Sequence, residues 1–197
     1  MKKHIVAMAA ITLLGSGAAL AQDFQAGTLL MRARAVHLDS VNKDTTGLGL
    51  NVNNKWLPEV DFSYFFSPNL AAELILTVPQ KHTLSAGDAR IGSLRHLPPT
   101  LTVQYHFDAA GFKPYVGAGL NYTRFSSVNL PAGVDIKRNS VGLALQAGVD
   151  IPVAKNLYLN LDVKKVYLGT KVLAGGSEIG KFKVDPVLFG VGLGYRF

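Results

Sequence analysis

Apolar and polar residues alternate in eight stretches of the chain after residue 27. A period of two sets one face of a β-strand against the other. In residues 28–38, Leu29, Met31, Ala33 and Ala35 share a face, and Arg32 and Arg34 oppose them. In 58–66, Val60, Phe62, Tyr64 and Phe66 oppose Glu59, Asp61 and Ser63. Leu70, Leu74, Leu76 and Val78 then oppose Glu73, and Leu101, Val103, Tyr105 and Phe107 oppose Thr102, Gln104 and His106. Val116, Leu120 and Tyr122 oppose Gly117, Gly119, Asn121 and Thr123; Val141, Leu143 and Leu145 oppose Gly142, Gln146 and Asp150. Leu157, Leu159, Leu161 and Val163 oppose Asn160, Asp162 and Lys164, and the last stretch sets Phe189, Val191, Leu193, Tyr195 and Phe197 against Gly190, Gly192 and Gly194.

A soluble antiparallel sheet also alternates, but its polar face is the exposed one and is rich in lysine and glutamate. Here the long apolar faces end in aromatics, and the opposite faces carry glycine, amides and scattered charge. That pattern predicts an all-β fold, an eight-stranded antiparallel transmembrane β-barrel with lipid outside and a lumen within. Lipid cannot satisfy backbone N–H and C=O groups, so a sheet immersed in it must close on itself. The connections predicted after strands two, four and six are short, near residues 67–69, 108–111 and 152–156. Those after strands one, three, five and seven are long, spanning roughly 39–57, 79–97, 126–139 and 168–184. Short periplasmic turns and long outer loops give this asymmetry, with both chain ends periplasmic. Register slips are expected near Pro58, Pro114 and Pro186, because proline within strands favours edges and bulges.

Residues 1–21 read as a cleaved secretory signal peptide. Lys2 and Lys3 precede a short apolar core, and Ala19-Leu20-Ala21 is a small-x-small cleavage site. Residues 22–197 are then the barrel. Composition fits: 48% of residues are hydrophobic and only 17% charged, which excludes disorder. Cysteine is absent, excluding thiolate chemistry and disulfides. The formal charge of +7 falls to +5 once Lys2 and Lys3 are removed, and it is not clustered on one face, so no nucleic-acid partner is expected.

An eight-stranded barrel is wide enough for side chains to fill it or for one small ligand. Candidate lumen-lining or gating residues are Arg32, Arg34, Glu59, Asp61, Glu73, Gln104, His106, Asn121, Asp162 and Lys164. Charges removed from water must be paired, so the arginines facing these carboxylates form either a bracing network or a gate. The glycines of the fifth, sixth and eighth strands are expected to leave space inside. Leu48, Leu50, Trp56, Leu94 and Leu97 are candidates for a hydrophobic mouth, with loop packing as the competing reading.

Several runs resemble signatures of the outer membrane protein W (OmpW) family. They are Leu97-Pro98-Pro99-Thr100-Leu101-Thr102-Val103-Gln104-Tyr105-His106-Phe107, the run from Lys113 to Thr123, Trp56-Leu57-Pro58-Glu59-Val60-Asp61-Phe62, and the ending from Asp185-Pro186 to Phe197. The resemblance implies an outer-membrane location, a narrow and largely hydrophobic channel, and passive passage of small hydrophobic molecules. A bracing network would send such cargo out sideways through the barrel wall. The alternative is a surface receptor, adhesin or envelope-stability barrel with a plugged lumen; some family members serve as phage or bacteriocin receptors. Tyr195 and Phe197 resemble the C-terminal signal read by the barrel-assembly machinery. Implied partners are outer-membrane lipid and lipopolysaccharide, that machinery, and small hydrophobic solutes.

No enzyme, metal or cofactor is expected. The glycine runs precede no helix, which excludes a phosphate loop. His106 is followed by Phe107 and Asp108, with no serine two residues on to act as a nucleophile beside it, which argues against a lipid hydrolase. His82 and His96 share the second long loop and read as solvated side chains, with a surface metal site as the minor reading.

Overall fold

The computed structural model of the protein describes residues 24–197. The predicted signal peptide, 1–21, lies outside the described residues. Eight strands build the barrel: β1 (Leu29–Asp39), β2 (Lys55–Phe65), β3 (Leu70–Thr77), β4 (Thr100–His106), β5 (Lys113–Asn129), β6 (Asn139–Ala154), β7 (Leu157–Val166) and β8 (Val187–Arg196). Each pairs antiparallel with its neighbour in sequence, from Leu29↔Tyr64 between β1 and β2 onward. The ladder between β8 and β1 closes the ring, from Leu30↔Arg196 to Asp39↔Val187. Closure removes both sheet edges, as lipid requires.

The alternation read from the sequence is the one the barrel uses. Leu101, Leu120, Leu143 and Leu193 are exposed on the outer face, while Arg32, Asp61, Glu73 and Gln104 are fully buried inside. At the edge where the short turns lie, three side-chain pairs stand edge to face. These are Tyr64–Phe66, Tyr105–Phe107 and Tyr195–Phe197, with centroids 5.3, 5.0 and 4.9 Å apart. They make an aromatic girdle at the membrane boundary.

Pro58 and Pro114 sit within unbroken ladders, opposite Ala35 and Val149. Pro186 precedes β8. The irregularity instead falls in β6 between Pro152 and Ala154, just before the turn at Asn156, whose φ is 62°. The turn is thus shorter than the 152–156 expected, because β6 runs on to Ala154.

The long connections are sheet rather than loop. Gln80–Ala86 and Ala89–Leu97 form a hairpin that pairs with Leu50–Val52 on one side and with the end of β5 on the other. Val134–Ile136, Gly169–Ala174, Ser177–Lys183 and Lys43–Asp44 form a separate four-stranded sheet. The inner faces of these extensions share one apolar core with the upper barrel, including Leu50, Leu84, Leu94, Phe125, Val172 and Phe182. Burying those residues, which are too apolar for solvated loops, holds the extensions in place.

The lumenal glycines do not leave empty space. A Cβ at Gly192 would stand 2.0 Å from the Ala33 carbonyl oxygen, so glycine permits the close approach of β8 to β1. At Gly190 and Gly194 a Cβ would meet Arg34 Cδ at 3.3 Å and Arg32 Cγ at 3.2 Å. The arginine stems occupy the room that the missing side chains provide.

Candidate functional site

The interior has three storeys. The periplasmic floor is aromatic: Phe24 packs on Phe65 at 4.3 Å between centroids, on Tyr158 at 5.5 Å and on His106 at 5.6 Å. His106 shares a hydrogen bond with Gln104 Oε1 through Nε2, at 3.0 Å. Its Nδ1 and the Gln104 Nε2 are buried without a hydrogen-bond partner.

The middle storey is a closed ion-pair network. Arg32 grips Asp150 with Nε to Oδ1 at 3.0 Å and Nη2 to Oδ2 at 2.7 Å. Its Nη1 donates to Asp61 Oδ1 at 2.9 Å and Ser63 Oγ at 2.8 Å. Arg34 Nη2 donates to Glu73 Oε1 at 2.9 Å and also contacts Asp61. Its Nε lies 3.1 Å from Glu59 Oε1, off the hydrogen-bond direction. Lys164 Nζ donates to Glu59 at 2.6 Å and to Asp162 at 2.8 Å.

Five carboxylates thus surround three cations. The remaining acceptor capacity is met by neutral donors. Tyr115 Oη and Gln146 Nε2 each donate to Asp162 Oδ2 at 2.9 Å, Asn160 Nδ2 donates to Asp150 Oδ1 at 2.9 Å, and Thr102 Oγ1 to Glu73 Oε2 at 3.0 Å. Buried charge is tolerable only when paired and hydrogen-bonded in this way.

Of the lumen candidates, Arg32, Arg34, Glu59, Asp61, Glu73, Asp162 and Lys164 meet in this network. Gln104 and His106 lie below it. Asn121 stands apart, donating to Thr100 Oγ1 at 2.7 Å and to the Pro98 carbonyl at 3.2 Å. The candidate set lacks Asp150 and Tyr115. Parity marks both as inward, since Val149 and Val116 face out, but only the fold shows that they meet the arginines.

The upper storey is an apolar chamber of about 180 Å³. Its walls include Leu48, Leu50, Leu84, Leu94, Val172 and Phe182. Of the mouth candidates, Leu50 and Leu94 are buried in its walls, and Leu48 lies at its exposed rim. Trp56 and Leu97 do not line it. Leu57 and His96 turn inward, so the period of two turns their neighbours Trp56 and Leu97 outward, where both are exposed. Trp56 packs on His37 at 5.1 Å.

A second, narrow crevice of about 40 Å³ is lined by Leu57, His96 and Leu168 together with Lys164 and Glu59 of the network. Its wall includes Thr77, Pro98 and Thr100, at the point where β3 and β4 part. Their ladder ends at Ile75↔Thr100. Pro98 and Pro99 have no N–H to extend it.

His82 and His96 are buried rather than solvated. Their Nε2 atoms lie 3.1 Å apart above the membrane-spanning band, and His82 Nδ1 is 3.2 Å from the Asn53 carbonyl. Burial, with Lys55 adding, pulls His82 down to about 4. Burial, with His82 and Lys55 adding, pulls His96 down to about 3. Among the described residues no group of three or more His, Asp or Glu is arranged to hold a metal.

Comparison with known proteins gives three findings. A family model described as "OmpW family" matches residues 25–197. Outer membrane protein W of Escherichia coli strain K12 is 34% identical over 216 aligned positions, covering 100% of both chains. The crystal structure of the outer membrane protein OprG from Pseudomonas aeruginosa superposes with a TM-score of 0.76 at 25% identity. That match covers 89% of this chain and 98% of the other.

Proposed function

The chain belongs to the OmpW family of outer-membrane barrels, and from that premise we propose that it is a channel for passive uptake of small hydrophobic molecules. The observation that carries this reading is the apolar chamber at the outer end, walled by Leu50, Leu84, Leu94 and Val172. Its volume suits a small apolar solute; its lining is apolar apart from Thr170, whose hydroxyl already donates to the Lys137 carbonyl at 2.7 Å, which leaves little to fix a sugar. Transfer of apolar surface from water into such a chamber is favourable by about 25 cal/mol per Å².

Straight passage is opposed by the storey below, where eight buried charged groups are ion-paired. Hydrophobic cargo has no favourable path through them. The proposed exit is lateral, through the crevice between Thr77 and Pro98 where the β3–β4 ladder has ended. The bilayer core is then a continuation of the apolar path.

The network also favours a second reading, a plugged barrel acting as a surface receptor or in envelope stability. The two readings separate by experiment. The chain has no cysteine, so Thr77→Cys with Pro98→Cys gives a unique pair for a short thiol cross-linker. Cross-linking is expected to stop uptake of an apolar solute into proteoliposomes without unfolding the barrel. Unchanged uptake would remove the lateral exit, and no uptake by the uncross-linked protein would leave the plugged-barrel reading. Its relatives are outer-membrane barrels, and no catalytic role is proposed.

A further inference from the structure

The four-stranded outer sheet has two unlike faces. Ile136, Val172 and Phe182 are buried against the chamber. Lysines crowd the other face. Lys171 stands directly opposite Lys181 in the ladder. The Lys137 amide donates to the Lys171 carbonyl at 3.0 Å, which makes Lys137 the third member of the same rung. Lys183 stands directly opposite Lys43. Adjacent strands are about 4.8 Å apart, and like charges directly opposite one another destabilise a sheet. Two such pairings in one small sheet work against folding, and solubility alone does not call for lysines in facing positions.

One carboxylate, Glu178, joins the rung as an ion pair with Lys171. The hydrogen bond from Lys171 holds the Glu178 carboxyl below its usual range, with further contributions from Lys181 and Lys137. The cations therefore share one local field, and one carboxylate does not neutralise it.

These lysines border a groove of about 360 Å³ where β6 and the strand following β7 separate. Lys137, Lys171, Lys181 and Lys183 line its upper part, and Val141 and Tyr167 its lower part. Both of the latter are exposed on the lipid-facing rows. Ser140 and Asn139 add polar groups, and the Asp185 carboxylate, which accepts from the Leu168 amide at 2.9 Å, also lines the groove. A cationic upper wall above an apolar lower wall, at the loop-side membrane boundary, matches an amphiphile with an anionic head.

We propose that this groove binds the phosphorylated headgroup of an outer-leaflet lipid of the lipopolysaccharide class, with its phosphates on the Lys137–Lys171–Lys181 rung and Lys183 and its acyl chains running down past Tyr167 and Val141. The site is independent of the uptake path, since it lies on the opposite face of the sheet from the chamber. Lysines near an anionic lipid surface contribute about a fivefold affinity gain each.

The test uses the full mature chain in neutral phospholipid vesicles, with and without bisphosphorylated lipid A. Retained lipid is read by native mass spectrometry and unfolding by thermal melts. Lys181→Gln with Lys183→Gln removes one member of each facing pair and leaves the Lys171–Glu178 pair intact. Its retention of lipid A is expected to fall about 25-fold, while its melting temperature without lipid A stays equal to or above that of the parent. Lys81→Gln with Arg90→Gln, on the other outer hairpin, is expected to retain lipid A as the parent does. Equal loss in both variants would overturn the site in favour of diffuse charge attraction. Equal retention of dephosphorylated lipid A, or displacement by millimolar inorganic phosphate, would overturn the assignment to a lipid phosphate.

Discussion

Arg32 holds Asp150 through two parallel hydrogen bonds across 118 positions of sequence, joining β1 to β6 through the middle of the lumen. The pair is bidentate, the planar guanidinium matching both carboxylate oxygens. Removing Asp150 leaves the Arg32 Nε and Nη2 donors buried without these acceptors, while Nη1 keeps Asp61 and Ser63. Asp150→Ala is expected to lower unfolding stability by about 3–5 kcal/mol, measured by urea titration in lipid vesicles. Replacing both partners, Arg32→Met with Asp150→Leu, is expected to restore part of that loss.

Gly192 tests the packing of β8 on β1. Gly192→Ala puts a Cβ into the Ala33 carbonyl, a backbone group that cannot swing aside. The expected loss is about 1–3 kcal/mol. Gly194→Ala meets the flexible Arg32 stem at 3.2 Å instead and is expected to cost less in the same urea assay. Equal losses would contradict a backbone-limited approach at Gly192.

The alternation of eight strands, the inward placement of Arg32 and Arg34 and the presence of Glu59, Asp61 and Glu73 on the same inner face were legible in the sequence, because lipid outside and charge inside impose a period of two. The outer extensions were not. Their strands are short and broken by turn glycines such as Gly87 and Gly176, which adopt positive φ, so Leu84 and Val172 read as loop residues. The partnership of Arg32 with Asp150 depends on which strands stand opposite across the lumen, and parity carries no such information. Trp56 and Leu97 show the reverse case. Parity would have turned them outward had the alternation been carried through the segments read as loops.

His82 and His96 give the outer hairpin a pH dependence with a defined sign. Their folded values, about 4 and about 3, lie below the ordinary histidine value of about 6.5. The opened hairpin therefore binds more protons, and its closure is fully stable above pH ~6.5 and weakens as pH falls toward 4 and then 3. Protection factors of amides in residues 80–97, which correct for the slower intrinsic exchange in acid, are expected to fall over that range. His82→Asn with His96→Asn is expected to flatten the profile.

The central claim is that small apolar molecules cross by way of the chamber. The direct measurement is the rate of uptake of an apolar solute into proteoliposomes, beside a sugar of similar size, for the parent and for Val172→Trp, which fills the chamber. The parent is expected to admit the apolar solute well above empty liposomes and the sugar at background, with Val172→Trp reducing apolar uptake at least tenfold, about 1.4 kcal/mol. Apolar uptake by the parent equal to that of empty liposomes, or unchanged in Val172→Trp, would contradict it.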